Sequence, residues 1–474
     1  MEQTRKPSLV KNSIVNVIRY VLKILLPMIT FPYVTRVLLP ENYGKVNFCF
    51  SIIGYFILLA GLGINEYAIR EGAAHRENRK DMGKFSSQIF TIGLISTLIS
   101  YLLLAGFLFL GAIEKDYKII LAIQSLSLIL TTLGVEWIYT IYEDFTYITI
   151  RSFIVQIISI ICIFLFVKNE NDYYIYAAIT VGSTGLGYLI NFIHARKYVD
   201  LRTTAKPDLK KHLKPILILF CNAALISVYI YSDKVILGIF LGDESVGIYE
   251  VSVKIYMMIK GALNAMVLVT MPRLSAYLRE NKNEEYLSLA GKTLNSQIIV
   301  ACPAAFGLFM ISGNVVRIFA GDEYLKATDS LRILSIALLF AVLANIYVYV
   351  LMITQRMDKQ ILYATIFSSL LNIVLNIILI PLWGINVAAY TTLLSELSVA
   401  IIGVWCCRKK VPVRLSVKAV AGTVIGCACI VAVCLALSQF GLSLILDTVL
   451  KVIISAVLYV LVICIAYKGK PALF

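Results

Sequence analysis

The 474-residue chain carries 43 Lys and Arg against 28 Asp and Glu, yet only 15% of its residues are charged and 59% are hydrophobic. With a mean hydropathy of +0.85, this composition excludes an ordinary soluble globular protein and indicates an integral membrane protein. Most of the Lys and Arg residues that give the net charge of +15 lie between apolar runs rather than in one block. This distribution indicates membrane topology and argues against a nucleic-acid-binding protein.

Fourteen apolar runs follow one another along the chain, and a spanning helix needs roughly 20 apolar residues. The runs are residues 12–34, 44–66, 85–110, 117–139, 145–167, 173–194, 213–240, 247–271, 293–313, 328–353, 360–380, 385–405, 417–437 and 446–467. The predicted fold class is therefore all-α, a polytopic membrane protein of about 14 transmembrane helices. An even number of spans places both termini on one side of the membrane.

The distribution of basic residues indicates which side that is. Segments on the side of the termini hold about 28 Lys and Arg, and the opposite loops hold about 6. Since basic residues concentrate in cytoplasmic loops, both termini are predicted to be cytoplasmic. The opposite loops are short, which argues against an external catalytic domain, and the first run lacks a small-residue cleavage site typical of a signal peptide.

A weak internal repeat links two turns. Leu38-Leu39-Pro40-Glu41-Asn42-Tyr43-Gly44, after the first run, resembles Phe240-Leu241-Gly242-Asp243-Glu244-Ser245-Val246-Gly247, after the seventh, at an offset of about 202 residues. Because six runs separate the copies, both have the same orientation, as in two-lobed transporters with parallel repeats. Chance similarity of two turn sequences is the alternative.

Polar residues in the first run form one face. Asn12, Asn16, Arg19 and Lys23 follow the spacing i, i+4, i+7 and i+11 of a single helix face. A charge at bilayer depth is costly, so each is a candidate functional residue. Facing a cavity, Arg19 and Lys23 would attract an anionic substrate such as a pyrophosphate, whereas the alternative is that both side chains extend to the membrane interface.

The seventh and eighth runs add further polar residues. Asp233 and Lys234 lie toward the outer end of the seventh run, where interfacial anchoring competes with a functional role. In the eighth run, Lys254 and Asn264 share one helix face and Lys260 lies on a neighbouring face. The basic residues of the first run would then face those of the eighth run across the interface between two lobes.

The eleventh and twelfth runs contribute amide and acidic groups. Asn372 and Asn376 are one turn apart, and they serve either as contacts between helices or as ion ligands. Glu396 lies near the middle of the twelfth run, and an apolar environment favours the protonated form of a carboxyl group. Glu396 is therefore a candidate carrier of a coupling proton, and a protonated or Lys-paired structural residue is the alternative.

Enzymatic motifs are scarce. The ten cysteines lie nearly all in apolar runs without metal-ligand spacing, and the three histidines lie in or beside cytoplasmic loops without an HExxH pattern. A P-loop and a GxSxG motif are also lacking, so neither nucleotide-driven nor metal-driven chemistry is supported. We expect no resident cofactor and no metal site.

A set of short segments resembles a known family. These segments are Lys11-Asn12, Leu26-Pro27, Thr30-Phe31-Pro32-Tyr33, Arg36, Pro40-Glu41-Asn42-Tyr43-Gly44, Tyr55-Phe56, Gly61-Leu62-Gly63-Ile64-Asn65, Arg70-Glu71, Glu143-Asp144-Phe145-Thr146-Tyr147-Ile148, Ser232-Asp233-Lys234-Val235-Ile236-Leu237-Gly238, Ser245-Val246-Gly247-Ile248-Tyr249, Lys254-Ile255-Tyr256, Met271-Pro272-Arg273-Leu274-Ser275 and Gly384-Ile385-Asn386. They resemble the Wzx-type oligosaccharide flippases, the polysaccharide-transporter branch of the MOP exporter superfamily. They are spread over about the first 400 residues and are specific as a set.

This resemblance implies an N-terminal lobe at residues 1–200, a C-terminal lobe at 201–410 and accessory helices at 411–474. It implies transport of undecaprenyl-pyrophosphate-linked oligosaccharide repeat units from the inner to the outer leaflet of the bacterial cytoplasmic membrane. The implied partners are this lipid-linked oligosaccharide, membrane lipid, a polysaccharide polymerase and its chain-length machinery, without nucleic acid.

The related lipid-linked peptidoglycan-precursor flippase has basic cavity residues at places comparable to Arg19, Lys23 and Lys254. It also has a sodium site that four residues here resemble, namely Asp233, Asn372, Asn376 and Thr391. An acidic residue expected on the eleventh helix is Asn376 in this chain, a departure from the pattern. The coupling ion therefore stays open between Na⁺ and H⁺.

We predict a transporter, a flippase that works by ion-coupled alternating access. Asn12, Asn16, Arg19, Lys23, Lys254, Lys260 and Asn264 are the predicted substrate-binding residues, and Asp233, Asn372, Asn376, Thr391 and Glu396 are the predicted ion-coupling residues. The first alternative is a multidrug or cation antiporter of the same superfamily, whose cavity should be acidic and aromatic. The second is a membrane polysaccharide polymerase or ligase, a class that usually needs a large external loop.

Overall fold

The computed structural model describes residues 9–111, 113–268, 270–413 and 415–467, with side chains described from Leu26 onward except those of residues 222, 226 and 268. Within these ranges the secondary structure is helical, and they contain no β-strand. Contacts divide the chain into two compact units, Met1–Val235 and Ile236–Phe474.

The first unit is built around the long helix α1. Its helices are α1 (Leu9–Gly61), α2 (Ile64–Gly72), α3 (Arg79–Leu110), α4 (Lys115–Leu133), α5 (Glu136–Ile141), α6 (Phe145–Phe166), α7 (Tyr173–Ala195) and most of α8 (Leu209–Leu241). Helix α1 packs against α3, α4 and α6, and α4 packs against α7. Helix α8 bends by 42° between Leu225 and Ser227.

The second unit is built around α12. Its helices are α9 (Asp243–Leu268), α10 (Met271–Arg279), α11 (Asn283–Phe319), α12 (Ala327–Ala344), α13 (Asp358–Trp383), α14 (Asn386–Cys407), α15 (Val417–Leu437) and α16 (Leu444–Ala466). Helix α12 continues into a π-helical segment, Asn345–Met352, and packs against α9, α11 and α14. In the most apolar stretch of this span 67% of the residues are buried, which makes it the centre of the unit.

The predicted helix count is confirmed once the break in α1 is taken into account. Leu39 has φ 59° and ψ 169°, because the following Pro40 disfavours helical geometry at the residue before it and removes a backbone donor. The first two predicted runs are thus the two arms of α1, and each later run coincides with a helix of its own. Among the described residues, 12 helices are long and apolar enough to span a membrane, or 13 with the bent α8.

Two further breaks lie close together in the first unit. One is at Leu62 and Gly63, between α1 and α2, and the other is at Val135, between α4 and α5. Gly63 has φ +70°, and a Cβ at this position would lie 2.7 Å from the backbone nitrogen of Phe220. Only glycine fits there without strain.

Side-chain caps explain where two helices start. The Asn78 side chain accepts hydrogen bonds from the backbone N–H groups of Lys80 and Asp81 at the start of α3, and Asp144 accepts one from Tyr147 at the start of α6. Asp144 also accepts a hydrogen bond of 2.6 Å from the Tyr198 hydroxyl. Burial, followed by this interaction with Asp144, raises the pKa of the Tyr198 phenol.

Both copies of the predicted repeat lie at helix breaks. Leu39, in the first copy, has φ 59°, and Gly242, in the second, has φ +80° at the junction of α8 and α9. Each turn thus contains a residue with positive φ, but at the offset of 202 residues Leu39 corresponds to Leu241 and not to Gly242, so the two positions are not equivalent. The predicted division at residues 200 and 410 stays a prediction, since the compact units are defined by contacts rather than by the lobes of a transport cycle.

Candidate functional site

The predicted basic face of the first run lies outside the described side chains. The backbone at Asn12, Asn16, Arg19 and Lys23 is helical, as part of α1, but their side chains are among those not described. Their predicted roles therefore stay predictions.

The described end of α8 in the first unit carries Asp233 and Lys234, and each residue is 8% exposed. Tyr231 positions this stretch against α1. Its ring lies 5.8 Å from that of Tyr55, and a Cβ on Gly54 would come within 2.5 Å of it. Gly54 therefore allows α8 to approach α1 closely. Asp233 and Lys234, which follow Tyr231 on α8, are buried beside this contact.

An ion pair joins α9 to α14 in the second unit. The Lys260 ammonium lies 2.5 Å from Glu396 Oε1, with 20% and 9% of the two side chains exposed. The Tyr256 hydroxyl donates a hydrogen bond of 3.2 Å to the same oxygen, and Lys260 Nζ lies 5.5 Å from the centre of the Tyr256 ring. Two residues predicted for different roles, substrate binding and ion coupling, are thus direct partners.

Two hydrogen bonds fix α14 in the turn just before Glu396. The Thr392 hydroxyl of α14 lies 3.4 Å from the Tyr249 hydroxyl of α9. Ser395 donates a hydrogen bond of 3.2 Å to the backbone carbonyl of Ser368 in α13. The stretch of α14 that carries Glu396 is therefore fixed by contacts with two neighbouring helices, α9 and α13.

The remaining predicted residues of α9 are also placed. Asn264 lies one turn beyond Lys260, and its side-chain oxygen accepts a hydrogen bond of 2.8 Å from Asn345 at the start of the π-helical segment. Lys254 lies on the same helix and is half-buried. The polar residues of α9 therefore extend along most of its length.

Three of the predicted ion-coupling residues of α13 and α14, namely Asn372, Asn376 and Thr391, form a hydrogen-bonded ring of neutral groups. Thr391 donates to Asn376 Oδ1 at 2.7 Å, Asn376 donates to Asn372 Oδ1 at 3.2 Å, and Asn372 donates to Thr391 Oγ1 at 3.3 Å. The three residues are at most 1% exposed. Amide and hydroxyl oxygens are ligands that hard cations accept, but here they satisfy one another.

Metal chemistry receives no support from the rest of the described chain. In these ranges, no group of three or more His, Cys, Asp or Glu residues is placed to hold a metal ion. The ten cysteines, all within the described ranges, are free thiols.

Sequence reasoning missed two ion pairs. Arg151 of α6, 9% exposed, lies 2.8 Å from Glu136 of α5 in the first unit. Lys451 lies 2.8 Å from Asp447, one turn earlier on α16 in the second unit. The sequence contained the information in both cases, because a charged residue inside an apolar run needs a partner. For the second pair, the i, i+4 spacing of Asp447 and Lys451 also predicts the contact.

Comparison with known proteins identifies the family. The family model described as "Polysaccharide biosynthesis protein" matches residues 9–278, more than half of the chain. One relative is the "Putative O-antigen transporter" of Escherichia coli (strain K12), 25% identical over 398 residues that cover 83% of this chain and 95% of the relative.

Two solved structures share the fold. The lipid II flippase MurJ, in its inward closed conformation, matches with a TM-score of 0.75 and 17% identity over 97% of this chain and 99% of its own. An inward-facing multidrug resistance MATE family transporter of the MOP superfamily matches with a TM-score of 0.61 and 15% identity over 84% of this chain and 98% of its own. At these identities the likeness shows the fold alone.

These likenesses confirm the predicted resemblance to Wzx-type flippases and the prediction of a transporter rather than an enzyme. The helices that are long and apolar enough to span a membrane make it a multi-pass membrane protein. The chain therefore belongs to the polysaccharide biosynthesis protein family.

Proposed function

We propose that the protein is a flippase for undecaprenyl-pyrophosphate-linked oligosaccharide repeat units. It moves them from the inner to the outer leaflet of the bacterial cytoplasmic membrane for surface polysaccharide biosynthesis, and both of its termini are cytoplasmic. The observation that carries this proposal is the match to a protein named as an O-antigen transporter over 95% of that protein's length.

The chemistry of the second unit is consistent with an anionic substrate. A lysine at bilayer depth is costly unless it meets a counter-charge, and Lys260 is 20% exposed although it is paired with Glu396. Asn264 supplies amide groups one turn away, a type of donor and acceptor that suits sugar hydroxyls. A diphosphate and its attached sugars would use both kinds of group.

In the proposed mechanism, Arg19 and Lys23 are the main binders of the pyrophosphate, and Lys254 and Lys260 are secondary binders. Asn12, Asn16 and Asn264 contact sugar hydroxyls while the polyprenyl tail stays in lipid. Binding shifts the population between inward-open and outward-open states. Na⁺ or H⁺ drives the cycle through the residues proposed for ion coupling, which are Asp233, Asn372, Asn376, Thr391 and Glu396.

Membrane lipid and the lipid-linked oligosaccharide are the direct partners in this proposal. A polysaccharide polymerase and its chain-length machinery act on the delivered repeat units.

Depletion of the protein tests the function directly. The gene is deleted and supplied from an inducible copy, and lipid-linked oligosaccharide and surface polysaccharide are followed as expression is shut off. We expect undecaprenyl-linked repeat units to accumulate in a form that is inaccessible from outside, while surface polymer disappears. A flat lipid-linked pool would contradict the proposal.

A second candidate function is export of organic cations, which the shared fold with the multidrug transporter favours. The same depletion experiment separates the two functions. A cation exporter predicts increased sensitivity to cationic drugs and an unchanged pool of lipid-linked oligosaccharide.

A further inference from the structure

A cavity of about 240 Å³ lies within the first unit, beside the breaks that separate α1 from α2 and α4 from α5. Residues of α1 to α5 and of α7 line it. Two of them, Gly61 and Gly93, contribute no side chain, and a Cβ on Gly61 would meet no atom within 4 Å. The space therefore exists because two helices change direction here and the glycines do not fill it.

Aromatic and polar side chains share the lining of this cavity. The rings of Phe90 and Trp137 are buried, and that of Tyr188 is half-buried. The polar groups include the amide of Asn65 and the carboxylate of Glu136. Because Asn65 is exposed, the cavity is open at this residue to the surroundings of the unit.

The charge of the lining is balanced. Arg151 is 9% exposed and lies 2.8 Å from Glu136, the charged residue of the lining. A charged ligand would upset this balance in a setting of low dielectric constant. A carboxylate that pairs with arginine still has acceptor sites for further hydrogen bonds, so the lining favours an uncharged ligand with O–H donors.

Size and chemistry narrow the ligand further. Sites for drug-sized ligands measure about 300–1,000 Å³, so a cavity of about 240 Å³ suits a smaller group. A polyprenyl or acyl chain would leave the amide and the carboxylate without hydrogen-bond partners, which is costly in an apolar setting. A sugar ring presents C–H groups on its faces and hydroxyl groups at its edge, and it therefore matches both the aromatic and the polar side chains.

We propose that this cavity binds one uncharged sugar ring of the repeat unit. Asn65 donates to and accepts from the sugar hydroxyls, Glu136 accepts from them, and the aromatic rings cover the faces of the sugar. This inference rests on the proposed function, since it names the part of that substrate which the first unit recognises.

The predicted topology is consistent with loading from the cytoplasm. Gly61 and Asn65 lie at the predicted cytoplasmic end of the second apolar run, and Arg19 lies in the cytoplasmic half of the first. A sugar in the cavity and a pyrophosphate bound by Arg19 would thus both enter from the same side of the membrane.

The test compares two probes that differ only in their sugars, namely undecaprenyl pyrophosphate and the lipid-linked oligosaccharide extracted from wild-type cells. Binding of each probe to the full chain in nanodiscs is measured by native mass spectrometry. We expect the wild type to bind the lipid-linked oligosaccharide at least about tenfold tighter, since two or three hydrogen bonds to a sugar contribute this much.

Two variants and one control locate the contribution of the sugar. Gly61→Leu fills part of the cavity and should abolish the preference for the lipid-linked oligosaccharide. Asn65→Ala truncates an exposed side chain without disturbing the core, and it should reduce the preference about fivefold, the value of one neutral hydrogen bond. Neither should change the affinity for undecaprenyl pyrophosphate. Gly182→Leu on α7 should bind as the wild type does, because a Cβ there also meets no atom within 4 Å and Gly182 lies outside the lining.

Trp137 reports where the sugar binds. Trp383 and Trp405, the other tryptophans of the chain, are exposed and can be replaced by Phe. The fluorescence emission of Trp137 should then change when the lipid-linked oligosaccharide binds and stay constant with undecaprenyl pyrophosphate. Adding Gly61→Leu should remove this change.

The outcomes separate the inference from the proposed function. Equal affinity of the wild type for the two probes, a preference that survives in Gly61→Leu and Asn65→Ala, or an unchanged Trp137 emission overturns the sugar site. If depletion nevertheless causes lipid-linked oligosaccharide to accumulate, the flippase function stands without it. If depletion leaves the lipid-linked pool flat while Gly61→Leu still abolishes the preference, the cavity remains a sugar site and the flippase function fails.

Discussion

Asp447 and Lys451 form an ion pair within one helix, α16, with their charged groups 2.8 Å apart and 14% and 7% of the side chains exposed. Asn314 of α11 donates a hydrogen bond of 2.7 Å to the Asp447 carboxylate. Lys451 donates one of 2.8 Å to Ser438, just beyond α15. Polar contacts therefore stabilise the packing of α16 against α11 and α15.

Removing one member of this pair should destabilise the protein. Lys451→Met leaves the partly exposed carboxylate of Asp447 without its ion-pair partner, and losing one partner of a polar pair typically costs about 1–3 kcal/mol. We expect a lower melting temperature in detergent, followed by fluorescence-detected size exclusion. Combining Lys451→Met with Asp447→Asn should recover most of the loss, and a single variant as stable as the wild type would contradict the pairing.

Two neighbouring glycines differ sharply in their tolerance of a methyl group. Gly63→Ala places a Cβ 2.7 Å from the Phe220 nitrogen at φ +70°, and such strain costs about 1–3 kcal/mol. Gly61→Ala is the matched control, because a Cβ there meets no atom within 4 Å. Thermal unfolding of both variants checks the prediction, which fails if the two behave alike.

His212 connects three helices of the first unit. Its Nδ1 lies 2.7 Å from the Tyr67 hydroxyl of α2, and its Nε2 lies 3.0 Å from Gln88 Oε1 of α3. His212→Leu keeps the volume but leaves two polar groups without this partner, at a cost of about 1–3 kcal/mol each. We expect faster hydrogen exchange in α2 and at the start of α8, whereas unchanged exchange would show that the contacts contribute little.

The basic residues of the first run should be essential for transport. We expect Arg19→Ala combined with Lys23→Ala to reduce flipping at least about tenfold, because in the proposed mechanism each cation would contribute a charge-assisted contact to the pyrophosphate. Surface polysaccharide in the depletion strain measures this. Lys409→Ala with Lys410→Ala removes the same charge from an exposed connection and serves as the control. Wild-type flipping by a well-expressed Arg19/Lys23 variant would refute the assignment.

The orientation of the chain can be tested with two exposed positions. Glu170→Cys lies in a connection predicted to face outward, and Lys206→Cys lies in one predicted to face the cytoplasm. In whole cells, a membrane-impermeant maleimide should label the first and should label the second only after permeabilisation. The wild-type chain, with its ten native cysteines, gives the background, and the reverse labelling pattern would invert the topology.

Much of the fold was predictable because bilayer thickness imposes a length on every apolar run. The break at Leu39 was also readable, since Pro40 follows it directly. The break at Val135 was not, because a β-branched residue with φ 36° is held there by packing rather than by its own preference. Tertiary contacts of the first unit, and not local sequence, determine that turn.

The contacts within the candidate site could likewise not be predicted from local sequence. Lys260 and Glu396 were each singled out as charges in an apolar run, but 136 residues separate them in sequence. Their direct contact depends on how α9 packs beside α14, and hydropathy carries no information on such pairings. Tyr256 was missed for a related reason, since a tyrosine in a spanning helix is common and only its contact with Glu396 makes it notable.

The π-helical segment Asn345–Met352 changes how the tenth span can be analysed. A π-helical turn behaves as a residue inserted into an α-helix, and one residue corresponds to a rotation of about 100°. Residues before and after the segment therefore cannot be projected onto a single helical wheel. Deleting one residue there would return a π-helical turn to α-helical geometry, while the stretches on either side keep the faces that they present to their neighbours.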